Sequence, residues 1–291
     1  MEEKAYAKIN LNLHVTGKRE DGYHLLDSLV VFPDVGDYVS VEPADVDQAD
    51  LVTLQITGPF SGSLQNEDLK NNLIVKAAYQ LVACTDKSLS PIKLLLEKNL
   101  PVASGIGGGS ADAAATLRLL IRYWGLKISA QELAQIALKL GADVPVCLNS
   151  VSQRMEGIGE TLSLLPNLPQ FGMILVNHGE AVSTAEIFRH RAAYFSKYID
   201  STQNLTSFDQ LIQELIKLTN DLQPPACLLN PAINTVLQAI EELPFCRLSR
   251  MSGSGATCFG LFETEQQAQA AAAILTKKHS WWIWGGKGVA K

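Results

Sequence analysis

Residues 105–109 read Gly105-Ile106-Gly107-Gly108-Gly109, and Ser110 then opens a stretch rich in alanine and leucine. Glycine backbone can turn several N–H groups toward one concave point. The positive end of a following helix strengthens their pull on an anion, so the segment suits phosphate. It fits neither familiar nucleotide loop. No Gly-Lys-Ser/Thr follows, and a dinucleotide fingerprint counted from Gly105 meets Ser110 where it needs glycine. The plainer alternative is a strand-to-helix connection with a serine cap. A second run, Met251-Ser252-Gly253-Ser254-Gly255-Ala256, stays open between a hairpin turn and an anion contact.

Three further positions could do chemistry. Asp143, in Gly141-Ala142-Asp143-Val144-Pro145, either caps the helix that Pro145 would start or acts as a base on a hydroxyl attacking a phosphate. Lys8 is the only charge between Lys4 and Lys18. Its plain reading is a lysine on an exposed strand face, since lysine usually reaches water. Tyr23 and His24 follow the Asp21-Gly22 turn. They read as a surface turn, or as an aromatic and an imidazole placed to hold a flat base.

The elements that must position these residues mix strands and helices without strict alternation. Residues 5–15 alternate as a strand, ended by the charged turn 17–22; further strands are expected over 26–32, 38–42 and 51–57. A helical period follows over 69–83, then a strand over 92–97, the glycine segment, a helix over 111–123 and another over 130–140 that stops at Gly141. In the second half, strands are expected over 172–177, 247–250 and 257–262, and helices over 208–219, 231–242 and 265–278. Residues 163–170, with Pro166 and Pro169, are the best linker. Strands and helices that fail to alternate one for one favour an α+β class over a doubly wound sheet.

The chain is 291 residues long with 47% hydrophobic and 19% charged residues, enough for two domains with proper cores. A net charge of -6 has the wrong sign for a main partner that is nucleic acid. No apolar run approaches the length of a membrane span, so no membrane partner is expected. The five cysteines are widely spaced with no CxxC pair, and the five histidines show no HxxxH or HExxH spacing. Reduced thiols in a cytoplasmic protein without a zinc site are the expectation.

Taken together, four segments resemble the small-molecule kinase superfamily named for galactokinase, homoserine kinase, mevalonate kinase and phosphomevalonate kinase. They are Ala7-Lys8-Ile9-Asn10-Leu11, residues 101–111, Gly141-Ala142-Asp143-Val144-Pro145 and Gly253-Ser254-Gly255-Ala256. The opening Ala7-Lys8-Ile9-Asn10-Leu11-Asn12-Leu13 with the Asp21-Gly22-Tyr23-His24 turn resembles the branch whose acceptor is 4-diphosphocytidyl-2-C-methyl-D-erythritol. The resemblance implies a two-domain α+β fold. Residues 1–162 would form a ribosomal-protein-S5-like ATP-binding and catalytic domain, and residues 163–291 a ferredoxin-like α/β sandwich that binds substrate.

What it further implies is ATP-dependent phosphorylation of the 2-hydroxyl of that acceptor in non-mevalonate isoprenoid synthesis, with Asp143 as base assisted by Lys8. Pro101, Val102, Ala103, Ser104, Gly105, Ile106, Gly107, Gly108, Gly109, Ser110 and Ala111 match the ATP-phosphate segment. Asn72, Leu73, Ile74 and Lys98 match positions near adenosine. Asn10, Tyr23, His24, Thr184, Phe188 and Gly253 match the substrate pocket. Mg²⁺ is implied by the triphosphate, with Ser110 as its candidate ligand, and the assembly would be a monomer or a homodimer. Two departures stand out: Val102-Ala103-Ser104 carries less glycine than is usual, and Ala111 replaces a common second serine.

Overall fold

The computed structural model describes residues 1–44, 50–65, 68–165, 168–198 and 205–290. They form two compact units that interleave along the chain. One is made of Met1–Ala7, Gly36–Val102 and Gly107–Asn149; the other is made of Lys8–Val35, Ala103–Ile106 and Ser150–Lys291. The sequence points to one boundary at 162, whereas these units exchange two earlier segments across it. The expected linker also differs, because residues 163 and 164 lie in a strand. Residues 166 and 167 of that stretch lie outside the described residues.

The first unit is a four-stranded sheet with helices. Its strand order is β1 (Glu2–Tyr6), β5 (Gly36–Pro43), β7 (Ile92–Glu97), β6 (Val52–Thr57). Only the β6–β7 pair is parallel, and α1 (Leu73–Val82) falls in the crossover between those two strands, as a parallel pair requires. Asn72 starts α1 by accepting a hydrogen bond from Ile74 N–H at 3.0 Å. Beyond β7 come α2 (Gly108–Tyr123), α3 (Ala130–Leu140) and the single turn α4 (Val144–Cys147). Ala111, Ala113, Ala114 and Ala115 are buried on α2. Their small side chains let the helix lie close to β1 and β5. Ser129 and Glu132 form a capping box at the start of α3, which ends at Gly141 in extended rather than left-handed geometry.

The second unit holds two antiparallel sheets. In one, β2 (Ile9–Asn10), β4 (His24–Val31), β8 (Gln153–Gly157) and β9 (Thr161–Leu164) lie side by side, and β3 (His14–Lys18) also pairs with β4. The other has the order β11 (Leu248–Met251), β12 (Cys258–Phe262), β10 (Gly172–Asn177), β13 (Trp282–Lys287). Its helices are α5 (Thr184–His190), α6 (Phe208–Ile216), α7 (Gln223–Leu229), α8 (Ala232–Glu241) and α9 (Glu265–Thr276). One apolar cluster joins Ile174 and Val176 of β10 with Ile233, Val236 and Ile240 of α8 and Ala268, Ala271 and Leu275 of α9. Burying each such aliphatic chain stabilises the fold by about 1.5–3 kcal/mol.

One expectation is corrected by burial. Residues 5–15 are not one half-exposed strand but three short pieces, and their polar positions are as enclosed as the apolar ones. Lys8 is 3% exposed, Asn10 0%, Asn12 2% and His14 3%. Lys8 is therefore not a lysine on an open face. Enclosing such groups costs free energy unless each is bonded, so this segment is built around polar contacts.

Candidate active site

The segment around Lys8 is held by its own hydrogen bonds. Lys8 Nζ donates to Asn10 Oδ1 at 3.1 Å, and Asn10 Nδ2 donates to Ser28 Oγ at 2.7 Å. Ser28 Oγ donates in turn to the Asn12 carbonyl, and Leu29 N–H donates to Asn12 Oδ1 at 2.8 Å. The same segment meets the first half of the glycine loop, where Lys8 N–H donates to Ile106 O at 2.9 Å. Gly105 has φ +76°, and a Cβ there would come within 2.5 Å of the Ser252 carbonyl oxygen, so only glycine fits.

The second half of the glycine loop belongs to the first unit. Gly107, at φ 64°, is the N-cap of α2, and no side chain caps this helix. Gly108, Gly109 and Ser110 thus form its first turn, three residues earlier than the sequence pattern places the helix start. The serine-cap reading is overturned with it. The N–H groups of Gly108, Gly109 and Ser110 have no hydrogen-bond partner among the described residues. A bare helix N-terminus behind glycines is a fitting seat for phosphate oxygens. Ser110, partly exposed, places its hydroxyl in the same turn. Among the described residues no group of three or more His, Cys, Asp or Glu could hold a metal ion. Mg²⁺ on nucleotides commonly needs only one or two protein groups besides the phosphates.

Beneath that turn lies a buried charge cluster. Lys98 Nζ is 2.5 Å from Asp37 Oδ2 and 2.7 Å from Asp112 Oδ2, with all three side chains at most 5% exposed. Asp37 Oδ1 also accepts from the N–H groups of Asn99 and Leu100. Asp112 Oδ1 is buried without a partner. Burial pushes the Asp112 carboxyl up to about 7, opposed by Lys98 and reinforced by Asp37. Burial alone would lower Lys98, yet the two carboxylates outweigh it and hold the ammonium above its ordinary range. The two directions agree: Lys98 keeps its charge while Asp112 titrates near neutrality. Lys98 is thus committed to two carboxylates.

Asp143 stands at the N-cap position of α4, but its carboxylate does not cap that turn. The capping alternative is thereby removed. Asn72 and Leu73, expected near adenosine, sit at the start of α1, where Asn72 spends its side-chain oxygen on the cap; Ile74 is buried.

The expected substrate-side residues gather in the second unit. His24 and Phe188 stack with ring centroids 4.6 Å apart and planes 20° apart. Burial, with Arg191 and Lys18 nearby, lowers the His24 pKa and keeps the ring neutral. Tyr23 is 58% exposed at the tip of the β3–β4 turn, where Arg19 N–H donates to its carbonyl. Thr184 Oγ1 and Ser254 Oγ lie 2.8 Å apart. The run 252–257 is the β11–β12 hairpin connection, and it also packs on the glycine loop: Gly253, at φ +56°, has room for no Cβ beside the Gly105 carbonyl oxygen. The hairpin-turn reading holds, and the same run contacts the first half of the glycine loop. Ser28 in the second unit and Asp37 and Asp112 in the first carry no sequence signal of their own.

Residues 72–150 match the family model "GHMP kinases N terminal domain", and residues 197–280 match "GHMP kinases C terminal". A 4-diphosphocytidyl-2-C-methyl-D-erythritol kinase of Gluconacetobacter diazotrophicus is 49% identical over 290 residues, covering 98% of this chain and 94% of the relative. One of Rhizobium etli is 46% identical over 282 residues, covering 97% and 92%. A crystal structure of 4-(cytidine 5'-diphospho)-2C-methyl-D-erythritol kinase, 30% identical, superposes with a TM-score of 0.80 over 99% of this chain and 98% of its own. A homoserine kinase from Cytophaga hutchinsonii, 16% identical, shares the fold with a TM-score of 0.71 over 99% and 95%. With matches of this extent over nearly its whole length, the chain belongs to the GHMP kinases, in the branch of the 4-diphosphocytidyl-2-C-methyl-D-erythritol kinases.

Proposed function

We propose that this protein transfers the γ-phosphate of ATP to the 2-hydroxyl of 4-diphosphocytidyl-2-C-methyl-D-erythritol, giving the 2-phosphate and ADP. The observation that carries the reading is Lys8. A lysine is almost never enclosed to this degree without a reason, and this one shares a hydrogen-bonded segment with the Ala103–Ile106 part of the glycine loop. A fixed ammonium beside phosphates offsets charge that develops during transfer.

In the reaction, the acceptor oxygen forms a bond to Pγ while its proton passes to the Asp143 carboxylate. The bond from Pγ to the β–γ bridging oxygen breaks, and ADP leaves with that electron pair. Lys8 assists Asp143 and steadies the acceptor oxygen; Asn10 holds the Lys8 ammonium in place. The bare amides of Gly108, Gly109 and Ser110 bind phosphate oxygens. Bound Mg²⁺ supplies neutralisation of the triphosphate charge, with Ser110 as its protein ligand. His24 and Phe188 supply flat surfaces for the cytosine. Leu73, partly exposed at the start of α1, borders the adenosine.

A cytoplasmic setting belongs to the same reading. Cys84, Cys147, Cys227, Cys246 and Cys258 are all free thiols. No helix among the described residues is long and apolar enough to cross a membrane.

The test is Asp143→Ala assayed with ATP, Mg²⁺ and the acceptor. The variant is expected to bind ATP as the parent does and to lose about 10²–10⁴-fold in kcat. Turnover that survives the change removes Asp143 as the base.

A further inference from the structure

Ser252 is fully buried, yet it lies in neither a helix nor a strand. Its hydroxyl is used twice. It accepts from Asn10 N–H at 3.1 Å and donates to the Gly105 carbonyl at 3.1 Å, linking residues 242 and 147 positions apart in the chain. Backbone bonds flank this link. Ser252 N–H donates to Thr257 O at 2.9 Å, Thr257 N–H donates to Ser104 O at 3.0 Å, and Gly255 N–H donates to Ser252 O at 2.9 Å. Behind it, Asn220 Nδ2 donates to both Met251 O and Gly253 O at 2.8 Å, while Asn220 Oδ1 accepts from Leu222 N–H at 2.9 Å. Every side-chain polar atom of Asn220 is thus engaged, in a residue only 4% exposed. All of these groups lie within the second unit.

We propose that Ser252, braced by Asn220, is a positioning residue that sets the distance and angle between the Lys8–Asn10 segment and the glycine loop. A hydroxyl suits the place because one small group both accepts from one segment and donates to the other. Gly105 and Gly253 make the approach possible, since a Cβ at either would collide with the opposing backbone. The inference rests on the proposed roles of Lys8 and the glycine loop. Phosphoryl transfer depends on positioning, and a displacement of about 1 Å can cost about 100-fold in rate.

The experiment compares Ser252→Ala, Ser252→Cys, Asn220→Asp and Lys8→Met with the parent, using full-length protein, ATP, Mg²⁺ and 4-diphosphocytidyl-2-C-methyl-D-erythritol. For Ser252→Ala, kcat/KM for ATP is expected to fall about 10- to 100-fold while KM for the acceptor stays within about twofold. Ser252→Cys, with a weaker donor of similar size, is expected to fall between parent and Ser252→Ala. Asn220→Asp keeps the bond from Leu222 N–H but turns an oxygen toward two carbonyls; the same ATP-side loss is expected. A serine that merely stabilises the fold would lower the melting temperature and leave the kinetics of the folded enzyme at parent values. That result in Ser252→Ala overturns the inference. Should Ser252→Ala not fold, parent kinetics in both Ser252→Cys and Asn220→Asp overturn it equally. Lys8→Met separates the two layers. If it retains parent turnover, the reading of Lys8 fails; if it is inactive while the Ser252 variants are normal, only this inference fails.

Discussion

Replacing Lys98 by methionine removes the one cation from the Asp37–Lys98–Asp112 cluster and keeps most of the side-chain volume. Asp37 retains the N–H groups of Asn99 and Leu100, at 2.6 and 2.8 Å. Asp112 loses its only counter-charge, and its Oδ1 already has no partner. Breaking a buried ion pair from one side costs about 3–5 kcal/mol. For a folding unit of this size that corresponds to a fall in Tm of about 6–20 °C. The loss is expected to depend on pH. In the parent, burial has pushed the Asp112 carboxyl up to about 7, so the folded chain holds a proton that an unfolded Asp, with pKa near 3.9, releases. Stability therefore falls as pH rises toward 7 and levels off above it. Without Lys98 the Asp112 carboxyl rises further, and the variant goes on losing about 1.4 kcal/mol per pH unit where the parent has levelled off. Thermal unfolding followed by circular dichroism at pH 6 and pH 8 measures this directly. The gap in Tm between parent and variant is expected to widen at pH 8. A variant within about 2 °C of the parent at pH 8, or a gap that narrows, refutes the assignment of the cluster as a structural clamp under α2.

Two other substitutions probe the site from opposite ends. Gly105→Ala forces a Cβ to within 2.5 Å of Ser252 O at a φ of +76°, a strain of about 1–3 kcal/mol before the collision is relieved. It is expected to raise KM for ATP more than tenfold, and a parent-like KM in steady-state kinetics would contradict the close approach of the two loops. Phe188→Ala removes the ring stacked on His24 and is expected to raise KM for the cytidine substrate by about 10-fold, with KM for ATP unchanged. Equal changes in both constants would argue against a base-stacking role.

The glycine loop and the elements α2, β7, α3 and β10 were legible in local sequence because their signals are local: apolar periods and glycine runs. Burial of the Lys8–Asn12 segment was not. Alternating polar residues ordinarily mark an open face, and only partners far along the chain, such as Ser252 and Ser28, reveal an enclosed one. Asp37 and Asp112 escape notice for the same reason, since the lysine that joins them lies 61 and 14 positions away. The helix α7 has no expectation behind it; Pro224 and Pro225 fall in its first turn, where proline is tolerated. Strand β13 hides because Trp282-Ile283-Trp284-Gly285-Gly286 shows no alternation; its pairing with β10 fixes it.

The central claim concerns which hydroxyl receives the phosphate, and one measurement addresses it: ADP release by the purified protein with ATP and Mg²⁺ against a panel of acceptors. 4-Diphosphocytidyl-2-C-methyl-D-erythritol alone is expected to drive turnover, with one ADP per 2-phosphate formed. No ADP with that acceptor, and turnover with homoserine or mevalonate instead, would contradict it.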